Sequence, residues 1–293
     1  MSSVKKLEHS EKEKNRVEAG KLYLVATPIG NLSDLSERAI KVLSEVDFIA
    51  AEDTRNSMRL LSYLGISKPM LSYFEHNKRE RGEQIAAKLE AGESCALITD
   101  AGTPAISDPG EDMVALCAQR GIPVTSIPGP VASITALTLS GLPTGRFTFE
   151  GFLSTNKSER RAHLSSLANE SRTMLFHEAP HKLKATLADF AATFGADRRI
   201  SLCRELTKLN EEIQRMTLGE AIAYYEENAP RGEYVLVVEG AKSAPEGTAF
   251  WAQLDIPAHV QHYMDGGMSK MDAIKQAARD RGVPKNEVYK EMV

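Results

Sequence analysis

Four short loops of the sequence combine residue types that suit a binding site for a small ligand. Each follows an apolar stretch: TPIGN (27–31), EDTR (52–55), DAGTPAISDPG (100–110) and PGPVAS (128–133). Glycine allows a positive φ and a close approach of a ligand to the main chain. Proline stiffens a loop and removes an N–H donor. Any one loop is better explained as a tight turn, but four at successive strand ends predict a rigid, carbonyl-rich surface for a flat ligand with a positive centre.

The stretches that precede these loops predict the elements that position them. LYLVA (22–26), DFIAA (47–51), CALIT (95–99) and PVTSI (123–127) are typical of short buried strands. Segments with helical spacing of apolar residues separate them, and this alternation predicts a mostly parallel α/β sheet. Ligands bind beyond the carboxyl ends of the strands in such sheets. We therefore assign residues 21–142 to an N-terminal α/β domain with a binding site at one edge.

A second domain is predicted after the glycine- and proline-rich stretch at 141–152. Residues 143–241 alternate strand-like and helix-like segments again, which predicts a smaller α/β domain with mixed strands. Residues 242–293 read as a linker and a small helical appendage, with one helix capped by Ser269 and ended by Gly282. Residues 1–20 are highly charged and lack the apolar core of a signal peptide, so we expect a disordered leader.

Composition excludes several classes of protein. The net charge of −4 gives no overall basic field, so any contact with nucleic acid must use local patches. The three cysteines form no CxxC pair, which argues against a zinc site or a disulfide framework and fits a reducing cytoplasm. No apolar run reaches the roughly 20 residues of a membrane span. We predict a cytoplasmic protein without a membrane anchor.

Common catalytic motifs are absent or poorly supported. The sequence has no GxxxxGK[ST] and no GxGxxG after a strand, so a P-loop NTPase or a Rossmann dehydrogenase is not favoured. HEAPH (177–181) matches HExxH in letters. That zinc motif needs both histidines on one helical face, whereas Pro180 and the strand-like RTMLF before it disfavour a helix.

The motifs TPIGNLSD, EDTR, DAGTPAISDPG, PGP, FxGF, HEAPH and RELTK occur in one order. In this order the chain resembles the tetrapyrrole methylase superfamily over about residues 21–240. It is most similar to the ribosomal branch, whose members methylate ribose 2′-hydroxyls of 16S ribosomal RNA. The resemblance implies two α/β domains with a cofactor cleft between them, plus a small helical C-terminal appendage similar to residues 269–293.

The resemblance also implies that S-adenosylmethionine is the cosubstrate, with no metal, because the sulfonium already activates the methyl group. The residues that match cofactor-binding positions of the family are Pro28, Asp100, Gly102, Thr103, Ile106, Ala132, Ser133 and Ala179. Thr103 stands where relatives carry an acid, which leaves its polar contact open. Asp100 has an alternative role as a brace for its own loop. The superfamily further implies a homodimer.

Methyl transfer to a ribose hydroxyl needs positioning and is helped by a base or a cation. We predict Asp53, Glu205 and Lys208 as catalytic residues. The alternative is that EDTR and RELTK form an inter-domain network of ion pairs.

A partner of 16S ribosomal RNA or the small ribosomal subunit requires local basic residues. We predict RNA contacts for Arg55, Lys78, Arg79, Arg81, Lys157, Arg160 and Arg161. One of Tyr73, Phe74 and His76 could stack on an everted base. The resemblance points to a cytidine in the decoding region as the target. Two other functions stay open, namely a precorrin-type C-methyltransferase on the same fold and a non-catalytic RNA-binding assembly factor.

Overall fold

A computed structural model describes residues 16–241 and 250–292 of the chain. The chain divides into two compact units, the first ending at Gly240 and the second running from Ala241 to Val293. The predicted leader lies outside the described residues up to position 15, as does the predicted linker at 242–249. Residues 17–20 contact the first sheet, because Val17 packs on its core and the Gly20 amide donates to the Gly92 carbonyl.

The first sheet of the described chain is parallel and has five strands in the order β3-β2-β4-β1-β5. The strands are β1 Leu22–Val25, β2 Phe48–Ala51, β3 Met70–Ser72, β4 Cys95–Ile98 and β5 Val124–Ile127. Helices connect them: α1 Glu37–Glu45, α2 Thr54–Tyr63, α3 Lys78–Glu90 and α4 Gly110–Arg120. Strands β1, β2 and β4 are buried at every position, as expected for strands covered on both faces. The predicted parallel α/β fold is therefore confirmed.

The sequence LSERAIKVLSEV predicts a helix capped by Ser33 or Asp34, but the cap of α1 lies further along the chain. Its N-cap is Ser36, whose hydroxyl accepts a hydrogen bond from the Ala39 amide, and not Ser33 or Asp34. Those two residues lie in a single 3₁₀ turn, Leu32–Asp34, capped by Asn31. The chain thus makes one 3₁₀ turn between the TPIGN loop and α1.

The second sheet of the described chain is mixed, with the order β6-β7-β10-β8-β9. Its strands are β6 Phe147–Phe152, β7 Thr173–Glu178, β8 Arg199–Arg204, β9 Glu212–Thr217 and β10 Tyr234–Val238. Strands β6 and β7 are parallel, whereas β10 is antiparallel to both β7 and β8 and β9 is antiparallel to β8. The helices of this half are α5 Ala132–Leu139, α6 Lys157–Ser166, α7 Leu183–Phe194 and α8 Leu218–Glu227. Mixed strands were predicted here and are confirmed.

The C-terminal unit contains three α-helices within its described residues: α9 Ile256–Asp265, α10 Lys270–Arg281 and α11 Lys285–Lys290. Helix α10 has the predicted caps, since the Ser269 hydroxyl accepts from the Asp272 amide and Gly282 has a φ of 63°. In 16–241 and 250–292, no helix has the length and apolar character needed to cross a membrane.

Candidate active site

The loops at the carboxyl ends of the first sheet enclose a cavity of about 520 Å³ together with the ends of β7, β8 and β10. This volume lies in the range of roughly 300–1,000 Å³ that is usual for small-ligand sites. Residues from both sheets line it: Ile29, Glu52, Thr99, Ala101–Asp108 in part, Val131–Ser133, Phe149, Phe152, His177–Pro180, Cys203, Glu205, Leu206, Lys208 and Glu233–Val235. Two walls of different chemistry therefore face one another.

The wall from the first domain consists mainly of main chain. Thr27 and Gly102 exchange two backbone hydrogen bonds of 2.9 and 3.1 Å, and the Thr103 hydroxyl donates to the Pro130 carbonyl at 3.0 Å. Gly102 needs its glycine because its φ is +86°. Gly129 is packed so closely that a Cβ there would lie 2.6 Å from the Ala26 Cβ. Three loops are thus joined into one rigid surface.

Asp108 braces the longest of these loops. Its carboxylate accepts hydrogen bonds from the amides of Ala105, Ile106 and Gly110 at 3.0, 3.3 and 2.7 Å. Ala105 and Ser107 have φ values of 67° and 61°, which residues other than glycine rarely adopt. Backbone strain of this kind concentrates at functional sites because the surrounding contacts must hold it.

The wall from the second domain carries charged side chains on the loop that follows β8. Glu205 and Thr207 in this loop also have positive φ values, 50° and 66°. The Lys208 ammonium donates to the carboxylates of Glu205 and Glu233 at 2.8 and 2.9 Å. Hydrogen bonding from Lys208 lowers the pKa of Glu205. Partial burial lowers the Lys208 pKa, but its two carboxylate partners outweigh burial and the net pKa is raised. Near neutral pH Glu205 and Lys208 are therefore both charged.

A family model described as Tetrapyrrole (Corrin/Porphyrin) Methylases matches residues 21–222 of the chain. The curated protein named Ribosomal RNA small subunit methyltransferase I from Synechocystis sp. is 47% identical over 92% of this chain and 96% of its own length. The protein of the same name from Bacillus subtilis is 46% identical over 92% and 93%. The chain is a member of the tetrapyrrole methylase family, in its ribosomal RNA small subunit methyltransferase I branch.

Solved structures of the tetrapyrrole methylase family share the fold. Diphthine synthase superposes with a TM-score of 0.58 at 14% identity, covering 76% of this chain and 91% of its own. Uroporphyrin-III C-methyl transferase from Thermus thermophilus, complexed with S-adenyl homocysteine, superposes with a TM-score of 0.52 at 16% identity, covering 74% and 96%. These likenesses confirm two α/β domains of the tetrapyrrole methylase type.

Most of the residues predicted for the methylase cofactor site lie together. Gly102, Thr103, Ile106, Ala132, Ser133 and Ala179 all line the cavity, as do the predicted catalytic residues Glu205 and Lys208. Pro28 and Asp100 do not line it, although their neighbours Ile29, Thr99 and Ala101 do. Asp100 is exposed, with a long 3.4 Å hydrogen bond from Asn56. The loop-bracing role suggested for Asp100 is performed by Asp108.

Asp53 also lies outside the cavity lining and has a local partner. It is the N-cap of α2, and its carboxylate accepts from the Arg55 amide at 2.8 Å and from the Arg55 guanidinium. These hydrogen bonds lower the Asp53 pKa to about 2. Glu52 lines the cavity in its place and accepts from the Thr99 hydroxyl at 3.0 Å.

The alternative of an ion-pair network between EDTR and RELTK is wrong for this methylase. Asp53 pairs with Arg55, whereas Lys208 pairs with Glu205 and Glu233. No ion pair between the two loops occurs in the described residues. The first domain instead contacts RELTK through Gly30, where a Cβ would overlap the Lys208 side chain.

The predicted RNA-binding residues differ in their availability. Arg79, Lys157 and Arg161 are exposed and make no ion pair with any residue of the described ranges. Arg55 pairs with Asp53, Lys78 pairs with Glu75 and Asp112, and Arg81 donates to Gln84. The Arg160 side chain is 13% exposed and binds Asp189 and Thr186 on α7. Arg160 therefore has the surroundings of a structural residue.

Sequence reasoning missed several lining residues of the methylase cavity, among them Phe149, Phe152, His177 and Glu233. The motifs FxGF and HEAPH contain three of these residues, Phe149, Phe152 and His177, so the sequence did mark them as unusual. His177 lies in β7 and not in a helix, so HEAPH lacks the geometry of a zinc helix. Within 16–241 and 250–292, no cluster of three His, Cys, Asp or Glu side chains is arranged to hold a metal.

Proposed function

We propose that this methylase transfers a methyl group from S-adenosylmethionine to the ribose 2′-hydroxyl of a cytidine in the decoding region of 16S ribosomal RNA. The observation that carries the proposal is the cavity itself, in which a rigid main-chain wall faces a lysine between two carboxylates. The names of the curated relatives at 42–48% identity support a small-subunit ribosomal RNA as substrate.

The first-domain wall fits S-adenosylmethionine. The residues that would hold it are Gly102, Thr103, Ile106, Ala132 and Ser133, with Ala179 opposite. Gly102 lines the cavity without a side chain, in a conformation that a side chain would strain. Ile106 is 46% exposed, so its apolar surface is free for contact. The Thr103 hydroxyl donates a hydrogen bond to the Pro130 carbonyl, so its lone pairs can accept a hydrogen bond from a ligand. When bound, S-adenosylmethionine supplies a methyl group activated by its sulfonium.

We assign the acceptor side to Glu205 and Lys208. The Glu205 carboxylate accepts the hydrogen bond of the ribose hydroxyl and takes its proton as the new O–C bond forms and the C–S bond breaks. The Lys208 ammonium stabilises the negative charge that develops on that oxygen. Both groups are held in place before the substrate arrives, because Glu205 also accepts from the Glu233 amide at 3.0 Å. Positioning of this kind supplies much of the rate in a displacement reaction.

RNA is held in this proposal by exposed basic residues that make no ion pair within the part of the chain that the structure describes. Arg79 near the start of α3, and Lys157 and Arg161 on α6, meet this condition. Such residues neutralise phosphates and position the RNA without reading its sequence. We also propose that the protein is cytoplasmic and forms a homodimer. Analytical ultracentrifugation would test the homodimer.

The experiment combines cosubstrate binding with product analysis. Calorimetry with S-adenosylhomocysteine is expected to show one binding event. Incubation with labelled S-adenosylmethionine and small subunits from a strain lacking this gene is expected to add one ribose methyl group to a cytidine, located by mass spectrometry. Label transferred only to a tetrapyrrole precursor, or binding without transfer to either, would overturn the proposal.

A further inference from the structure

Three aromatic side chains of the second domain meet at the cavity and have no role in the reaction described above. The His177 ring lies 5.4 Å from the Phe149 ring, almost perpendicular to it, and 5.3 Å from the Phe152 ring at a tilt of 42°. All three residues line the cavity. We call Phe149, Phe152 and His177 the aromatic platform.

A bulge in β6 creates the platform. Phe149 pairs with Leu175 and Phe152 pairs with His177, so the register between β6 and β7 shifts by one residue between Phe149 and Gly151. In a regular strand Phe149 and Phe152 would point to opposite faces, because side chains alternate. The extra residue brings both rings to the face that carries His177. Gly151 has a φ of +64°, which makes glycine the favoured residue there.

The platform is uncharged, and Phe152 is its exposed ring. The Phe152 side chain is 61% exposed although it lies beside a cavity. Burial lowers the pKa of His177, so its imidazole is neutral near pH 7 and adds ring surface without charge. A neutral aromatic surface that is open to solvent suits a planar ligand. Every nucleobase has such a plane and stacks well on aromatic side chains.

The platform also lies at a suitable distance from the proposed catalytic pair. His177, Val235 and Cys203 face each other across the neighbouring strands β7, β10 and β8. Two strand spacings, about 10 Å, therefore separate His177 from Cys203, and Glu205 follows two residues later. A single nucleotide can reach from one to the other, with its base on the platform and its ribose near Glu205 and Lys208.

We propose that the aromatic platform stacks on the pyrimidine base of the acceptor nucleotide after that base has left the RNA stack. This inference rests on the proposed function and names the part of the site that receives the substrate. It also replaces the prediction for Tyr73, whose side chain is 2% exposed and whose hydroxyl donates to the Pro109 carbonyl. Tyr73 is a core residue and is not available for stacking.

The test uses the full chain with three substitutions on one strand. Phe152→Ala removes the exposed ring, and Phe152→Tyr restores an aromatic plane. Phe147→Ala is the matched control, because Phe147 is also in β6 and is 38% exposed but does not line the cavity. We expect Phe152→Ala to weaken binding of small subunits to the S-adenosylhomocysteine-loaded protein, measured by filter binding, by about 5- to 150-fold. Phe152→Tyr and Phe147→Ala should bind as the wild type does.

Each outcome decides the inference. If Phe152→Ala weakens S-adenosylhomocysteine binding as much as subunit binding, the platform belongs to the methyl-donor pocket and the inference is wrong. If subunit binding is unchanged in Phe152→Ala, the inference is wrong even when methyl transfer is observed. If aromatic-dependent binding occurs but the wild type transfers no methyl group, the platform stands and the proposed function fails.

Discussion

The two walls of the cavity are built in opposite ways. The first-domain wall presents main chain, with glycine and proline residues tied together by backbone contacts such as the Thr27–Gly102 pair. The second-domain wall presents side chains, a lysine between two carboxylates and three aromatic rings. A main-chain surface changes little when side chains change, whereas a side-chain surface can be rebuilt for each substrate. We infer that the first wall, with Ala179 opposite it, serves the methyl donor, and that the charged and aromatic side chains of the second wall serve the acceptor.

The largest effect on this assignment of the two walls is expected when a charge is removed from the second wall. We expect Lys208→Met to lower the single-turnover rate by about 100- to 1,000-fold, because the developing oxyanion loses its cation. Calorimetric affinity for S-adenosylhomocysteine should be unchanged. Lys41→Met is the control, since Lys41 is ion-paired with Glu45 on α1 and does not line the cavity. A normal bound-state rate combined with lost cosubstrate affinity would reverse the roles of the two walls.

The converse test removes the brace of the first wall. We expect Asp108→Ala to weaken S-adenosylhomocysteine binding by about 10- to 100-fold, because three amides lose a charged acceptor and the positive φ at Ala105 and Ser107 loses its support. Asp108→Asn should lose less affinity for S-adenosylhomocysteine, because the asparagine oxygen can still accept from the amides of both Ala105 and Gly110. Asp112→Ala serves as the control, because Asp112 is on α4 and pairs with Lys78. Equal affinity in all three variants would exclude Asp108 as the brace.

The sequence predicted the first wall better than the second, for a physical reason. Glycine and proline restrict the backbone directly, so the motif DAGTPAISDPG predicts a loop at a strand end before any packing is known. The aromatic platform depends on a one-residue register shift between Phe149 and Gly151, which becomes visible only when β6 is paired with β7. Strand β6 itself was not predicted, because FTFEGF lies in the glycine- and proline-rich stretch at 141–152 that was read as a domain boundary.

The charged residues show the same limit. EDTR offered two adjacent acids, and the sequence could not tell which one faces the cavity. Asp53 forms the helix cap and Glu52 lines the cavity, because the cap position at the start of α2 requires a short side chain that reaches back to the backbone. Likewise, Arg160 and Arg161 are adjacent, but only Arg160 faces α7.

Arg160 and Arg161 allow a matched test of RNA binding against structural support on the second domain. We expect Arg161→Gln to reduce the salt dependence of small-subunit binding, with the log–log slope falling by about 1. Its melting temperature should stay the same, because Arg161 makes no ion pair within the described residues. Arg160→Gln should lower the melting temperature and leave the salt slope unchanged, since it removes hydrogen bonds to Asp189 and Thr186. Filter binding across a salt series and thermal melts would check both. An unchanged slope in Arg161→Gln would remove it from the proposed RNA surface.

The smallest change is expected at Asp53, which was predicted as catalytic and whose contacts indicate a helix cap. Asp53 does not line the cavity, and its carboxylate is occupied by the Arg55 amide and guanidinium, so it is badly placed to accept a ribose proton. A lowered folded-state pKa gives stability that is present above the unfolded value and is lost as the pH falls toward 2. We therefore expect Asp53→Asn to melt slightly lower at pH 7, with the difference shrinking in acid. The single-turnover rate should match the wild type and stay level over the neutral range. A large loss of that rate, with cosubstrate binding intact, would return Asp53 to the catalytic group and extend the acceptor side to the first domain.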